Sequence, residues 1–219
     1  MLEEKVSLAR ETGAATAVRL AGGLDAEGFP RDVAWEAAPP IRFDHDWQGR
    51  NADAQRETEV RALWTPQSLH FRFVARYRSV TMFQDAEPSG RRDLLWDGDV
   101  VEVFLQPPEL SGRHYLEFEV SPNGFWIDLE ITPGARRNLK SGLKRRAGID
   151  AGRSTWSAQL ALPTKNLTPR FNPAKAWRVN FYRVEGENEP RFYSAWRPTG
   201  TAIADFHVPE SFGKLLFEP

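Results

Sequence analysis

The sequence contains no cysteine among its 219 residues. A disulfide scaffold, thiolate metal sites and thiol catalysis are therefore excluded. No run approaches the roughly 20 apolar residues that a membrane-spanning helix needs. The first residues also lack the apolar stretch of a signal peptide. We expect a soluble protein with no membrane partner, and the sequence assigns neither a compartment nor an oligomeric state.

An excess of charge of one sign is also missing, since 29 Lys and Arg oppose 30 Asp and Glu for a formal net charge of -1. Nucleic-acid-binding domains normally carry a basic patch, so nucleic acid is not an expected partner. The sequence has no P-loop, dinucleotide fingerprint or Gly-x-Ser-x-Gly motif. Nucleotide-dependent enzymes and serine hydrolases therefore have no support.

Short runs of alternating apolar and polar residues dominate the chain, and turn residues separate them. This pattern is typical of all-β proteins. The predicted strands are residues 59–64, 69–77, 99–106, 114–120, 125–131, 155–162, 177–184, 191–196 and 214–217. We further predict an edge strand at 15–20, a short helix at 164–167 and an exposed loop at 134–152.

These elements predict one domain over residues 1–219. The expected architecture is a single antiparallel β-sandwich of two sheets, jelly-roll or immunoglobulin-like, with at most short helices. Eight tryptophans are many for this length. We expect Trp35 and Trp47 to close one end of the sandwich and Trp196 to lie in the core. Trp96 precedes Asp-Gly-Asp at a loop-to-strand junction, where exposure is expected.

One face of the predicted sheet combines acids, amides, guanidinium groups and aromatic rings. Side chains alternate between the faces of a strand. By this rule the apolar residues of each strand share one face, and the opposite face carries Glu102, Phe104, Glu117, Glu119, Trp126, Asp128, Glu130, Arg178, Asn180 and Tyr182. Sugars offer hydroxyls to polar groups and C–H faces to aromatic rings. The face therefore favours carbohydrate binding over a merely solvated surface.

Four segments resemble, in order and spacing, the successive motifs of family 9 carbohydrate-binding modules. They are WDGDVVEVFL at 96–105, YLEFEVSPNG at 115–124, VNFYR at 179–183 and FHVPESFG at 206–213. The resemblance implies a β-sandwich that binds sugar without catalysis. The implied partner is a saccharide, such as the end of a plant or microbial polysaccharide.

Members of that family hold a terminal sugar between two aromatic rings. Carried to this chain, the resemblance implies a clamp of Trp96 and Phe206, with Glu102 as a hydroxyl-binding carboxylate. Tyr182 stands where the family can place an amide. Glu119 stands where an arginine is usual, and Ser121 where an asparagine is usual. Because the first of these departures reverses the local charge, the identity of the sugar does not carry over. From the same face, Asn180 and Arg178 are further candidates.

Three other functions remain open. A sandwich whose sugar site has decayed would serve protein interaction. A glycoside hydrolase would need two carboxyl groups at a suitable separation, one of them with a raised pKa; Glu102, Glu117, Glu119 and Asp128 are the candidates. A haem domain would need axial ligands, for which the chain offers His45, His70, His114, His207 and Met82.

No cofactor is expected, apart from an open alternative of structural calcium. Calcium favours clusters of oxygen ligands. The acids that flank glycine or lie in predicted loops are Asp97, Asp99, Asp44, Asp46 and Asp85. Since no complete Asp-x-Asp-x-Asp-Gly loop is present, these residues define no specific metal site.

Overall fold

A computed structural model describes residues 13–87 and 89–219 and confirms an all-β chain. Its strands are β1 Ala14–Arg19, β2 Ile41–Phe43, β3 Thr58–Trp64, β4 Ser68–Arg76, β5 Val100–Gln106, β6 Tyr115–Val120, β7 Trp126–Thr132, β8 Ala135–Asn138, β9 Lys144–Asp150, β10 Thr155–Pro163, β11 Trp177–Glu185, β12 Phe192–Ala195 and β13 Gly213–Glu218. Short 3₁₀ helices occupy Asp32–Ala37, Ala54–Arg56, Leu95–Asp97, Thr164–Asn166 and Pro209–Ser211. The fourth confirms the predicted short helix. Over these residues, no helix has the length and apolarity needed to cross a membrane.

The strands form one curled sheet in the order β8-β7-β6-β5-β11-β13-β1-β3-β4-β10-β9, with β12 added to β11 and β2 to β3. This differs from the predicted pair of antiparallel sheets in two respects. Hydrogen bonding continues through β13 and β1, and β1 runs parallel to both β13 and β3. The predicted edge strand at 15–20 is therefore an interior strand, in which Ala15 and Ala17 are fully buried.

The two halves of the curled sheet pack face to face over the main hydrophobic core. Phe181 of β11 contacts Phe71 and Phe73 of β4, with ring centroids 5.6 and 6.0 Å apart. Trp196 lies in the same core, as predicted. Interlocking aromatic rings of this kind bury large apolar areas and hold the halves in register.

The alternation on β5 and β6 is confirmed, but the prediction for β7 was wrong. Ile127 pairs with Glu119 and Leu129 pairs with Glu117. Because directly paired residues share a face, the apolar residues of β7 lie on the side of the carboxylates. Trp126 and Asp128 consequently lie on the opposite side and leave the predicted site face. Alternation alone does not reveal which of two buried faces a strand's apolar set joins.

The prediction of an exposed loop at 134–152 was also wrong. This segment forms β8 and β9, the edge strands at the two ends of the strand order. All four residues of β8 are exposed, and β9 is exposed or half-buried. Charged, exposed residues are typical of edge strands, where they discourage pairing with another chain. Such strands lack the apolar alternation by which the others were predicted.

Candidate functional site

A pocket of about 210 Å³ lies over the face of β5 and β6 that points away from the main core. Its floor consists of three carboxyl groups, and aromatic side chains stand among its walls. The members that matter for its chemistry are Glu102, Glu117, Glu119, Trp96, Phe206 and Arg136.

The carboxyl floor follows directly from strand geometry. Glu102 of β5 pairs with Glu119 of β6, and paired residues share a face. Glu117 lies two residues before Glu119 and so points to the same side. One carboxylate oxygen from each residue lies within 4.8 Å of the other two. All three side chains are buried, with Glu119 at 0% exposure.

The three acids Glu102, Glu117 and Glu119, here called the carboxylate cluster, are buried with little compensation from the protein. Desolvation raises the pKa of all three carboxyl groups, and repulsion from Glu117 adds to it at Glu102, where Arg191 opposes the shift. Among the described residues, neither oxygen of Glu119 has a hydrogen-bond partner, nor has Oε2 of Glu117. Buried acids without donors are costly, so the cluster is suited to a proton or an external partner.

Trp96 forms one aromatic wall of the pocket, and hydrogen bonds from Arg191 hold the loop that carries it. The residue lies in the 3₁₀ helix Leu95–Asp97 and is half-buried. Arg191 donates hydrogen bonds to the backbone oxygens of Trp96 (2.8 Å) and Gly98 (2.6 Å). The guanidinium carbon of Arg136 lies 4.6 Å from the centre of the Trp96 ring. The ring is therefore held in place while part of it stays accessible.

Phe206 contributes a second aromatic wall from the loop after β12. Its ring stacks on Tyr182 at a centroid distance of 4.2 Å and an interplanar angle of 14°. The Tyr182 hydroxyl donates to the Phe206 backbone oxygen at 3.1 Å. Tyr182 thus supports Phe206 from below and is itself fully buried.

His207 closes the pocket beside Phe206. A 2.6 Å hydrogen bond joins its Nδ1 to the hydroxyl of Tyr115, and the same nitrogen lies 3.9 Å from Oε2 of Glu117. Arg113 donates to the His207 backbone oxygen at 2.5 Å. The loop that carries Phe206 and His207 is therefore attached to β6 and to the segment before it.

The structure brings four of the seven predicted binding residues together at the pocket: Trp96, Glu102, Glu119 and Phe206. Tyr182 lies beneath them. Asn180 donates to the Tyr182 hydroxyl and to the backbone oxygen of Arg197. Arg178 lies further along β11 and donates to Gln106 at 2.9 Å and to the backbone oxygen of Pro209 at 2.6 Å. These three side chains support the fold around the pocket.

Several pocket residues were not among the predicted binding residues. Glu117 shares the predicted polar face with Glu119 and is a hydrolase candidate, but it is not among the predicted binding residues. Arg136 comes from the edge strand mistaken for a loop. Arg191 and Tyr193 come from the other side of the pocket, and no local pattern connects them to β5 or β6.

Two of the loop acids considered for calcium, Asp46 and Asp99, accept hydrogen bonds from the backbone. One Asp46 oxygen accepts the backbone N–H groups of Gln48 and Arg50, both at 2.9 Å. Asp99 accepts those of Thr81 and Gly186, and burial raises its pKa to about 6. These carboxylates fix turns and loops through N–H donors. The cluster of oxygen ligands found in the described residues is the carboxylate cluster on the pocket floor.

No protein-family model matches the chain. Two curated proteins are related to it by sequence. The UPF0462 protein C4orf33 homolog of Rattus norvegicus is 30% identical over 143 residues, which cover 60% of this chain and 68% of the rat protein. A protein of Arthroderma benhamiae described as an extracellular protein is 23% identical over 179 residues, covering 74% of this chain and 78% of its own length.

Solved structures with the same fold include a candidate carbohydrate-binding protein from Bacteroides uniformis, with a TM-score of 0.72 and 19% identity over 94% of this chain and 99% of the other. A family 9 carbohydrate-binding module from Caldicellulosiruptor kristjanssonii was solved with cellotriose. Its TM-score is 0.65 at 14% identity, and the match covers 94% of this chain and 93% of the module. A family 9 module from the same organism, solved with glucose, has a TM-score of 0.63 at 14% identity, and the match covers 94% of this chain and 95% of the module. The fold predicted from the four motifs is thereby confirmed.

Proposed function

Since this chain belongs to the family of the rat UPF0462 protein C4orf33 homolog and has the fold of family 9 carbohydrate-binding modules, we propose that it is a non-catalytic saccharide-binding protein. The ligand site is the pocket over β5 and β6. The observation that carries the proposal is the placement of Trp96 and Phe206 beside the carboxylate cluster in one pocket.

The chemistry of the pocket suits a sugar ring. Aromatic faces pack against the C–H face of a pyranose, and carboxylates accept hydrogen bonds from its hydroxyls. In this arrangement Trp96 and Phe206 contact the ring, and Glu102 accepts from a hydroxyl. Arg136 brings donors for ring or glycosidic oxygens to the rim.

The size of the pocket favours one sugar ring over a long internal stretch of chain. Its volume of about 210 Å³ lies below the roughly 300–1,000 Å³ of sites for drug-sized ligands. The ligand class that fits is a monosaccharide or the terminal residue of a longer saccharide. Glucose and cellotriose, the ligands of the Caldicellulosiruptor modules, are natural first probes.

Hydrolysis is a poorer fit to the same carboxyl groups. A glycosidase needs one carboxyl group that is protonated and another that stays ionised, with pKa values pushed apart. Here burial raises the pKa of Glu102, Glu117 and Glu119 together. Neither oxygen of Glu119, nor Oε2 of Glu117, has a hydrogen-bond donor among the described residues that would favour an ionised nucleophile or base, so binding without bond cleavage is the better account.

Isothermal titration against a panel of mono- and disaccharides tests the proposal. The wild-type protein should show saturable heat with at least one sugar. Trp96→Ala should weaken that binding by roughly tenfold, which corresponds to about 1.4 kcal/mol. Trp126→Ala is the matched control, because Trp126 is also half-buried but lies on the opposite side of the sheet.

The outcomes separate two functions. Binding that falls in Trp96→Ala and persists in Trp126→Ala supports the pocket as the saccharide site. An absence of heat with every sugar contradicts the proposal and favours a protein-interaction sandwich with a decayed sugar site. Equal losses in both variants contradict the assignment to this pocket.

A further inference from the structure

The carboxylate cluster has a property that direct sugar binding does not explain. Both oxygens of Glu119 and Oε2 of Glu117 each expose less than 1 Å² and have no hydrogen-bond partner within residues 13–87 and 89–219. A sugar hydroxyl is about the size of a water molecule, so it does not reach these atoms directly. Any external partner for them must be smaller than water, and a bare cation is.

The two arginines beside the cluster make their contacts elsewhere. Arg191 uses its guanidinium on the backbone oxygens of Trp96 and Gly98. Arg136 lies over the Trp96 ring. No hydrogen bond from either reaches the three carboxyl groups in the described parts of the chain. Three acids at close range repel one another when ionised, and a cation between them would remove that cost.

The separation of the oxygens matches a calcium ion. Calcium binds six to eight oxygens at about 2.3–2.6 Å, so two oxygens on one ion lie at most about 5 Å apart. One carboxylate oxygen each of Glu102, Glu117 and Glu119 lies within 4.8 Å of the other two. Nδ1 of His207 lies 3.9 Å from Oε2 of Glu117 and is hydrogen-bonded with Tyr115. An all-carboxylate set of this kind suits a hard cation.

We propose that Glu102, Glu117 and Glu119 bind one Ca²⁺ ion at the floor of the pocket, and that its free coordination positions take hydroxyl oxygens of the saccharide. This inference rests on the proposed function and makes sugar binding calcium-dependent. Three carboxylates leave part of the coordination shell open, and the pocket lies on that side. In this account Glu119, which stands where the family resemblance places an arginine, is a metal ligand.

Calcium binding is measured first, without sugar. The full-length protein is treated with EDTA, exchanged into buffer at pH 7.5 and titrated with CaCl₂ by calorimetry. We expect one Ca²⁺ per chain and a rise of the thermal midpoint on saturation. Glu119→Gln should weaken binding at least tenfold, and so should Glu102→Gln. Glu36→Gln, which removes an exposed carboxylate outside the pocket, should bind as the wild type does.

Circular dichroism and the unfolding midpoint of the calcium-free variants establish that they are folded before they are compared. If the wild type shows neither heat nor a change in midpoint at millimolar CaCl₂, the inference is overturned. The same holds if both pocket variants bind calcium with unchanged affinity, because the ion would then lie elsewhere.

Sugar titrations with and without calcium distinguish this inference from the proposed function. Sugar binding that requires CaCl₂ and is lost in EDTA supports both. Equal sugar binding in EDTA overturns the calcium inference and leaves the saccharide site standing. Calcium binding with no sugar response retains the metal site but overturns both its role in sugar binding and the proposed function. Loss of both responses overturns both.

Discussion

Asp128 and Glu185 are buried as deeply as Glu117 and Glu119, yet their surroundings are opposite. Asp128 accepts from Arg91 at 2.7 Å and from the Ser141 hydroxyl at 2.6 Å. Glu185 accepts from Arg56 at 3.0 Å, from the backbone N–H of Arg78 at 3.1 Å and from Arg183. The acids of the carboxylate cluster have no such donors among the described residues.

The difference indicates two uses of buried charge in one sheet. Asp128 and Glu185 connect loops and strands, and the arginines that neutralise them belong to the protein. The carboxylate cluster lies under a pocket, and its acids are left for a proton or for a partner from outside. Removing the partner of a buried charge destabilises a fold strongly. Removing a buried charge that has no partner breaks no ion pair and costs little stability.

The largest expected effect is at Arg183. Arg183→Met should reduce the free energy of unfolding by about 3–5 kcal/mol, because Glu185 would remain buried without its main counter-charge. Urea unfolding measures this loss. Arg136→Met is the control from the other region: its exposed guanidinium predicts a loss below about 1 kcal/mol. Equal losses in the two variants would remove the distinction between the regions.

The buried side chain of His70 makes the free energy of unfolding depend on pH. Burial lowers the pKa of His70 from 6.5 to about 4, and its Nε2 is 2.7 Å from the Ser68 hydroxyl. Because the unfolded chain takes up the proton more readily, the stability contributed by neutral His70 is complete above pH 6.5 and is lost as pH falls towards 4. The loss amounts to about 3 kcal/mol.

The variant His70→Leu isolates that contribution, because other titrating groups such as Asp99 act equally in both proteins. The difference in unfolding free energy between wild type and variant, measured by urea at pH 7, 5.5 and 4, should shift by about 3 kcal/mol in favour of the variant as pH falls. A difference that stays constant with pH would contradict the burial of a neutral imidazole.

The smallest expected changes in stability come from replacing one acid of each group by its amide. Asp128→Asn should cost about 2 kcal/mol, because one oxygen that accepts charged or strong donors becomes an amide. Glu119→Gln, in EDTA at pH 7.5, should leave stability unchanged or raise it by up to about 1 kcal/mol. Chemical unfolding of both variants gives the comparison. A loss at Glu119 as large as that at Asp128 would mean that the cluster is structural.

Most strands were predictable from sequence because their apolar residues alternate and turn residues bound them. β3 and β4 appeared almost at their observed limits. β8 and β9 did not, because edge strands with charged, exposed residues carry no apolar alternation. The parallel pairing of β1 was hidden for another reason: its neighbours β13 and β3 are remote in sequence, and partners are set by tertiary packing.

The pocket was partly predictable for similar reasons. Parity along single strands placed Glu102 and Glu119 on one face, and the family resemblance added Trp96 and Phe206. The burial of the acids was not predictable, because the loops that cover them come from distant segments. Arg191, which positions the Trp96 loop through two backbone oxygens, lies 95 residues further along the chain. No local pattern reports such a contact.

A crystal structure with the tightest-binding sugar of the panel, grown with CaCl₂, tests the central claim most directly. The account predicts a sugar ring in contact with Trp96 and Phe206, with hydroxyls towards Glu102 and the floor of the pocket. Sugar density elsewhere on the protein, with this pocket free of ligand, would contradict it.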